Sequence, residues 1–332
     1  MNASTLTSLA GMLALAGPLI FAVIGEIFTE KAGIINLSLN GTILLAAMSG
    51  FVTAISVNNL LLGFLVGGLV GMLVALVVAF SSINLKQSQI AVGFVLTLLC
   101  RDLSYFIGNP FMGSPGMRVA HLPIPILAEI PIIGTIFFNQ NLLVYASYLL
   151  ILFSQLWIFK TRPGLLLQGI GEKPVSAFTR GVNVNRLRYL YTALGGFLVG
   201  LAGPMYSLSV KVGWKGSLSG LDGLGWIALA ITIFGAWNPI RAAFGVYLFV
   251  FLQWLGIILQ PYLVNFPSQV LQVAPFPLMI LTLLLVNIGN TEWVEKMLAP
   301  TPESFRRAVK KFIRLVRSSP PASLGVPFEG GE

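Results

Sequence analysis

The feature that most constrains this chain is a series of nearly uncharged runs about 20 residues long, the length a helix needs to cross the hydrocarbon core of a bilayer. They fall at roughly 7–25, 34–57, 60–83, 90–108, 142–159, 189–210, 225–237, 243–260 and 274–288. The 225–237 stretch is short for a full span and reads as a broken one. Only 9% of the 332 residues are Asp, Glu, Lys or Arg while 56% are apolar, too little charge to coat a water-soluble particle. None of the runs alternates polar and apolar residues with period two, so helices are left as the way to satisfy the backbone in lipid. The expected fold class is all-α: a polytopic membrane helical bundle of about nine spans, with a re-entrant or broken segment.

The few charges are distributed unevenly. Lys160, Arg162, Lys173, Arg180, Arg186 and Arg188 fall in the 160–188 loop, and Lys296, Arg306, Arg307, Lys310, Lys311, Arg314 and Arg317 follow the last span. Loops rich in Lys and Arg belong on the cytoplasmic side. Stepping through the spans from there places Lys31, Lys86 and Arg241 inside too, leaving Arg118, Lys211 and Lys215 outside and Arg101 within a span. The N-terminus is then outside and the C-terminus cytoplasmic. The basic balance thus records orientation and gives no reason to invoke nucleic acid. Residues 1–6 lack Lys and Arg, so the first span is expected to be retained and not cleaved as a signal peptide.

Two domains are expected, a transmembrane bundle over 1–290 and a basic cytoplasmic tail over 291–332. In the tail, Phe305, Val309, Phe312 and Val316 recur at helical spacing among basic residues. That pattern fits an amphipathic helix on anionic membrane lipid, or a solvated stop-transfer flank, followed by disorder. Gly63, Gly67 and Gly71 lie four apart, as do Gly196 and Gly200, a spacing for close helix packing. Arg101 and Asp102 sit next to each other in a span, about 100° apart on a helix, which favours partners on other spans over each other. Placement at the outer interface is the alternative reading.

With one Cys and one His, metal clusters and Cys–His or Ser–His nucleophile pairs are excluded. Cys100 reads as a small hydrophobe and His121 as a surface residue. No Gly-Lys dipeptide is present, so a Walker phosphate loop is excluded as well. Neither a cofactor nor a metal is expected, and the chain is expected not to be an enzyme. What remains is a solute passing through the bundle or binding within it.

Polar residues inside spans then carry the functional reading. Asn36, Ser38 and Asn40 alternate between Gly33 and Gly41 in an apolar stretch. Broken backbone is tolerated at membrane depth where it lines a cavity, and amides there can donate to and accept from an uncharged polar solute. Plain interhelical hydrogen bonding is the competing account. The stretch Glu172-Lys173-Pro174-Val175-Ser176-Ala177-Phe178-Thr179-Arg180 begins acidic, carries Pro in its first turn and ends basic, as a short helix should. Val175 and Phe178 lie three apart and offer a small apolar knob for a groove; a surface helix without a partner would look the same.

These residues resemble those of permease subunits in bacterial ABC importers of the branched-chain amino acid and simple sugar class. Within that class the chain looks most like nucleoside or simple-sugar permeases that work with basic-membrane-protein-type lipoproteins. The resemblance rests on Gly25–Leu37, Gln89-Ile90-Ala91-Val92-Gly93, Gly171-Glu172-Lys173-Pro174, Gly225–Ala230 and Gly235-Ala236-Trp237-Asn238-Pro239, which follow the family order over about residues 20–290. It implies a substrate pathway that takes in Asn36, Ser38, Asn40, Gln89 and Trp226. It also implies a coupling helix built from Gly171, Glu172, Pro174, Val175, Ala177, Phe178 and Arg180, docking into a separate ATP-binding subunit. A second permease subunit, identical or different, an external substrate-binding lipoprotein and the inner membrane complete the implied assembly. Where many relatives have Glu, this chain has Asn40, which withdraws a buried negative charge and disfavours a cationic solute. Two other classes stay open: a stand-alone secondary transporter or channel using Arg101 and Asp102, and a structural or assembly protein of the membrane.

Overall fold

A computed structural model describes residues 3–259, 277 and 320–329. The expected span at 274–288 and the amphipathic pattern at 305–317 lie outside the described residues, Pro277 excepted. In chain order the helices are α1 (Ala3–Lys31), α2 (Leu39–Val57), α3 (Leu60–Ile83), α4 (Gln89–Gly108), α5 (Leu142–Lys160), α6 (Arg162–Glu172), α7 (Pro174–Phe178), α8 (Val184–Met205), α9 (Leu224–Phe234) and α10 (Pro239–Leu259). Seven of these, α8 being extended by a wider turn to Val210, are long and apolar enough to cross a membrane. The expected short segment is α9, with 11 residues, or about 16 Å of helix, half of what a bilayer requires. Among the described residues there is no strand, only an isolated bridge between His121 and Asn141.

Caps fix several helix starts. Asn59, Ser88, Asn141, Thr161 and Asn183 each accept a hydrogen bond from a first-turn backbone N–H of the helix that follows, meeting donors the helix cannot satisfy itself. The Asn183 cap starts α8 five residues before the expected span at 189. Arg188, expected among the loop charges, is therefore inside a helix and fully buried.

The centre of the bundle is formed by α1, α2 and α8, whose apolar side chains make one continuous core. The glycine spacing does what it promises. A Cβ on Gly71 would stand 2.3 Å from the Gly196 carbonyl oxygen, and one on Gly200 2.4 Å from that of Gly67, so α3 and α8 meet backbone to backbone. The same holds for α1 and α8, where a Cβ on Gly25 would lie 2.5 Å from the Gly195 oxygen.

The helix ends sort into two groups. At one end Lys31 lies over Phe159, Tyr189 donates to Asn84, Tyr191 to the Pro163 carbonyl, and Trp237 to Glu30. At the other end Gln140 donates to the Ala10 carbonyl, Asn141 to Ser209, and Val119 to the Leu208 carbonyl. The first group carries most of the described Lys and Arg residues.

Candidate functional site

The chain breaks between α1 and α2. Residues 34–36 are non-helical although Ile34 and Asn36 are buried, and Gly33 turns at φ +92°, a conformation glycine adopts without strain. Backbone groups freed by such a break must find partners, and side chains from α1, α4 and the break itself supply them. Gln89 accepts from Ile35 N at 2.7 Å while donating to Ser82 at 2.6 Å. Glu26 accepts from Asn36 N at 3.3 Å. Thr97 donates to the Leu37 carbonyl at 2.6 Å. Asn36 Oδ1 accepts from both the backbone and the hydroxyl of Ser38. Asn36, Ser38 and Gln89 thus hold the break in shape from within, and all three are buried.

Asn40 has a different task. Helix α9 starts at Gly223, which has no side chain to cap it. The Asn40 Oδ1 accepts from Gly223 N at 2.8 Å and from Gly225 N at 3.3 Å, so it caps α9 from across the bundle. A Cβ on Gly225 would stand 2.2 Å from Asn40 N, which shows how closely the two starts approach. The Asn40 Nδ2 donates to Asp222 Oδ1 at 2.7 Å. The negative charge that Asn40 withdraws is therefore restored by Asp222 one bond away, and the expectation that the site disfavours cations loses its basis.

Asp222 opens onto two polar surroundings. It lines a cavity of about 1040 Å³ together with Lys211, Arg118, Asn141, Gln253 and Trp254. It also accepts from Tyr105 at 3.4 Å, which leads to Arg101 and Asp102 on α4. Contrary to the expectation from their spacing, these two pair directly, Nε to Oδ1 at 2.9 Å. The long arginine side chain bridges the 100° between neighbouring positions because both are at the surface, 34% and 66% exposed. Around them α4 exposes Phe94, Val95, Leu98, Leu99, Leu103 and Phe106. A half-exposed ion pair about 18 Å along an apolar helix would be costly against lipid tails. Such a pair suits a polar space, another protein or the outer interface, Arg101 lying seven residues from the end of α4. Trp226 lies on the same side, partly exposed, with its ring 6.3 Å from Phe94.

At the basic end α6 and α7 form a bent pair. The expected short helix is α7, with Pro174 at its first position, but Glu172 does not begin it. Glu172 is the last residue of α6, and Lys173 makes the break. Gly171 is buried against the Lys31 carbonyl, and Ala177 is half-buried on the core. Val175 and Phe178 are left 65% and 42% exposed, and Arg180 is exposed. The residues expected to form a coupling helix thus split into buried anchors and a presented apolar knob.

Sequence reasoning missed two groups. Glu26 and Glu30, one helical turn apart on α1, are buried; among the described residues neither has a salt bridge. Glu30 accepts from the Trp237 indole N–H, which fastens the α9–α10 turn to α1. The i, i+4 spacing of two acids was visible, but ending the first span at residue 25 placed them in a loop. The other group is Asp222 with Tyr105, which no local pattern links.

A polytopic helical bundle with a polar break, a half-length helix and charges gathered at one end defines a multi-pass membrane transport protein. The family model described as "Branched-chain amino acid transport system / permease component" matches residues 8–287, and the chain belongs to this family. It is 33% identical over 289 residues to the nucleoside ABC transporter permease protein NupC of Lactococcus lactis, covering 83% of this chain and 90% of that one. It is 31% identical over 287 residues to the guanosine ABC transporter permease protein NupQ of Bacillus subtilis, covering 82% and 89%. A Haloferax volcanii chain provisionally named as the glucose ABC transporter permease protein TsgC13 is 35% identical over 243 residues, covering 72% and 73%. No solved structure matches the chain significantly.

Proposed function

We propose that this chain is the membrane subunit of an ATP-driven importer that carries a nucleoside or simple sugar across the bacterial inner membrane by alternating access. It works with a separate cytoplasmic ATP-binding subunit, a second permease subunit and an external substrate-binding lipoprotein. Its N-terminus is outside and its C-terminus cytoplasmic. The relatives' names support the solute class, and the gathering of Lys and Arg at the α6–α7 end supports the orientation. The observation that carries the reading is α7 itself: a short helix at the basic end, anchored by buried Gly171 and presenting Val175 and Phe178. Such a knob fits a groove on a soluble partner.

The pathway runs along the face where Asp222, Tyr105, Arg101, Asp102 and Trp226 lie, with buried Asn40 holding Asp222 from behind, toward the second permease subunit. Carboxylates accept from sugar hydroxyls, guanidinium and phenol groups donate, and an indole ring can stack on a base or sugar face. Asn36, Ser38 and Gln89 support the break that positions Asn40. ATP-driven closure of the partner subunits moves α7, and the two bundles rock between inward-open and outward-open states. A branched-chain amino acid is the second reading, favoured by the Arg101–Asp102 pair, which matches the two charges of a zwitterion. Binding by the cognate lipoprotein, with nucleosides, sugars and branched-chain amino acids side by side, separates the two.

The test is coupling in proteoliposomes. Glu172→Ala with Phe178→Ala is expected to leave the bundle folded while ATP hydrolysis and uptake come apart. Wild-type coupling in the double variant contradicts the assignment of α7.

A further inference from the structure

The segment 320–329 returns to the α6–α7 end and is fastened there by a set of hydrogen bonds and one ring contact. Ser323 donates to the Gly171 carbonyl through its backbone N at 2.9 Å and through its hydroxyl at 2.5 Å. Ala322 N donates to Glu172 at 3.2 Å. Gly325 N donates to the Gly33 carbonyl at 3.0 Å, at the edge of the α1–α2 break. Arg188, fully buried, donates to the Val326 carbonyl at 2.9 Å. Finally the Phe328 ring lies 5.6 Å from that of Phe178 on α7.

A buried guanidinium without a carboxylate is costly unless its N–H groups are met. Here a carbonyl of the tail helps meet them, so the segment is built into the fold at this point. Its placement also distinguishes a cover from an extension. A cover would bury the α7 knob, yet Val175 remains 65% exposed and Phe178 42% exposed with the tail in place. Instead the tail adds apolar surface beside the knob, with Val326 53% exposed and Phe328 half-exposed against Phe178.

We propose that residues 320–329 and α7 together form one composite knob, which the cytoplasmic ATP-binding subunit receives. The inference rests on the reading of α7 as the coupling helix. Its occupant is the ATP-binding subunit because the tail surface is continuous with the surface that reading gives to it. The tail then does more than widen the contact. Through Ser323 and Gly325 it ties α6 to the Gly33 edge of the break, so motion imposed on the knob is passed to the junction that holds Asn40.

The experiment measures retention of the ATP-binding subunit by the assembled permease in lipid nanodiscs, with melting temperature recorded for each variant. Val326→Asp changes an exposed tail position, Phe328→Asp removes the half-buried ring beside Phe178, and both leave the hydrogen bonds of Ala322, Ser323, Gly325 and Arg188 in place. Each is expected to weaken the subunit's affinity by roughly tenfold or more, as for central contacts of an interface, with melting unchanged for Val326→Asp, the exposed position that decides. Deletion of 320–332 is expected to weaken it further. Val175→Asp serves as the control for α7. If Val175→Asp abolishes binding while both tail substitutions bind as wild type, the tail proposal is overturned and the α7 reading stands. If Val175→Asp also binds as wild type, the α7 reading fails and the inference with it. If the deletion tightens binding, the tail is a cover, which overturns the proposal. Should the deletion fail to fold, because Arg188 has lost a partner, the two substitutions decide alone.

Discussion

The α3–α8 interface and the α1–α2 break are both buried, and they are held by opposite means. At the interface, side chains are removed so that Gly71 and Gly67 meet Gly196 and Gly200 through their backbones. At the break, side chains from α1, α4 and the break itself reach in to replace lost backbone bonds, one hydrogen bond at a time. The first arrangement has no slack, because close-packed backbone admits no extra atom without displacing a helix. The second consists of separate bonds that can exchange partners. On the proposed alternating-access reading, the first is the frame that stays and the second the joint that rearranges, bonded to Asp222 on one side and to the tail on the other.

Substitutions can break this contrast or sharpen it. The largest effect is expected from Gly71→Leu, whose first added atom already collides with the Gly196 carbonyl. The cost is about 3 kcal/mol or more, seen as loss of monodisperse protein in detergent; a fully folded variant would show that the interface has slack after all. Asn40→Leu comes next. It leaves Gly223 N and Gly225 N without their acceptor and Asp222 without its donor, at a cost of about 2–3 kcal/mol. Uptake should fall at least tenfold while the protein still purifies as a folded bundle, and collapse of the whole fold would make Asn40 part of the frame. Glu30→Leu removes the acceptor of the Trp237 indole and should cost about 1–3 kcal/mol, read as a lower melting temperature without aggregation. Thr97→Val removes a single bond to the Leu37 carbonyl and should cost about 1 kcal/mol, the smallest of the series. A loss as large as that of Gly71→Leu would erase the distinction between frame and joint.

The frame was legible in the sequence to a degree the joint was not. Hydropathy located the long spans because length and lipid contact are local properties, and small-residue spacing named the α3 and α8 faces that do meet. Pro174 marked the start of α7 because proline suits a first helical turn. Local pattern was less informative where partners are far apart along the chain. Asn36, Ser38 and Asn40 stood out as polar residues between glycines, yet nothing nearby says that Asn40 caps a helix 183 residues later. Glu26 and Glu30 were read as loop because charge usually ends a span. Arg188 was counted as a loop cation for the same reason, whereas it is buried and bonded to a segment 138 residues away. Arg101 and Asp102 pair with each other because a long side chain relaxes the angular rule, and no local pattern in 320–329 points to its seat on α6 and α7, whose partners lie about 150 residues away.

The central claim is that this chain moves a solute only when an ATP-binding subunit drives it. It is tested most directly by uptake into proteoliposomes holding the complete complex, with lipoprotein and labelled solute on one side and ATP on the other. The account predicts uptake that requires ATP, requires the lipoprotein and disappears with Val175→Asp. Uptake by this chain alone, driven by an ion gradient and indifferent to ATP, would contradict it.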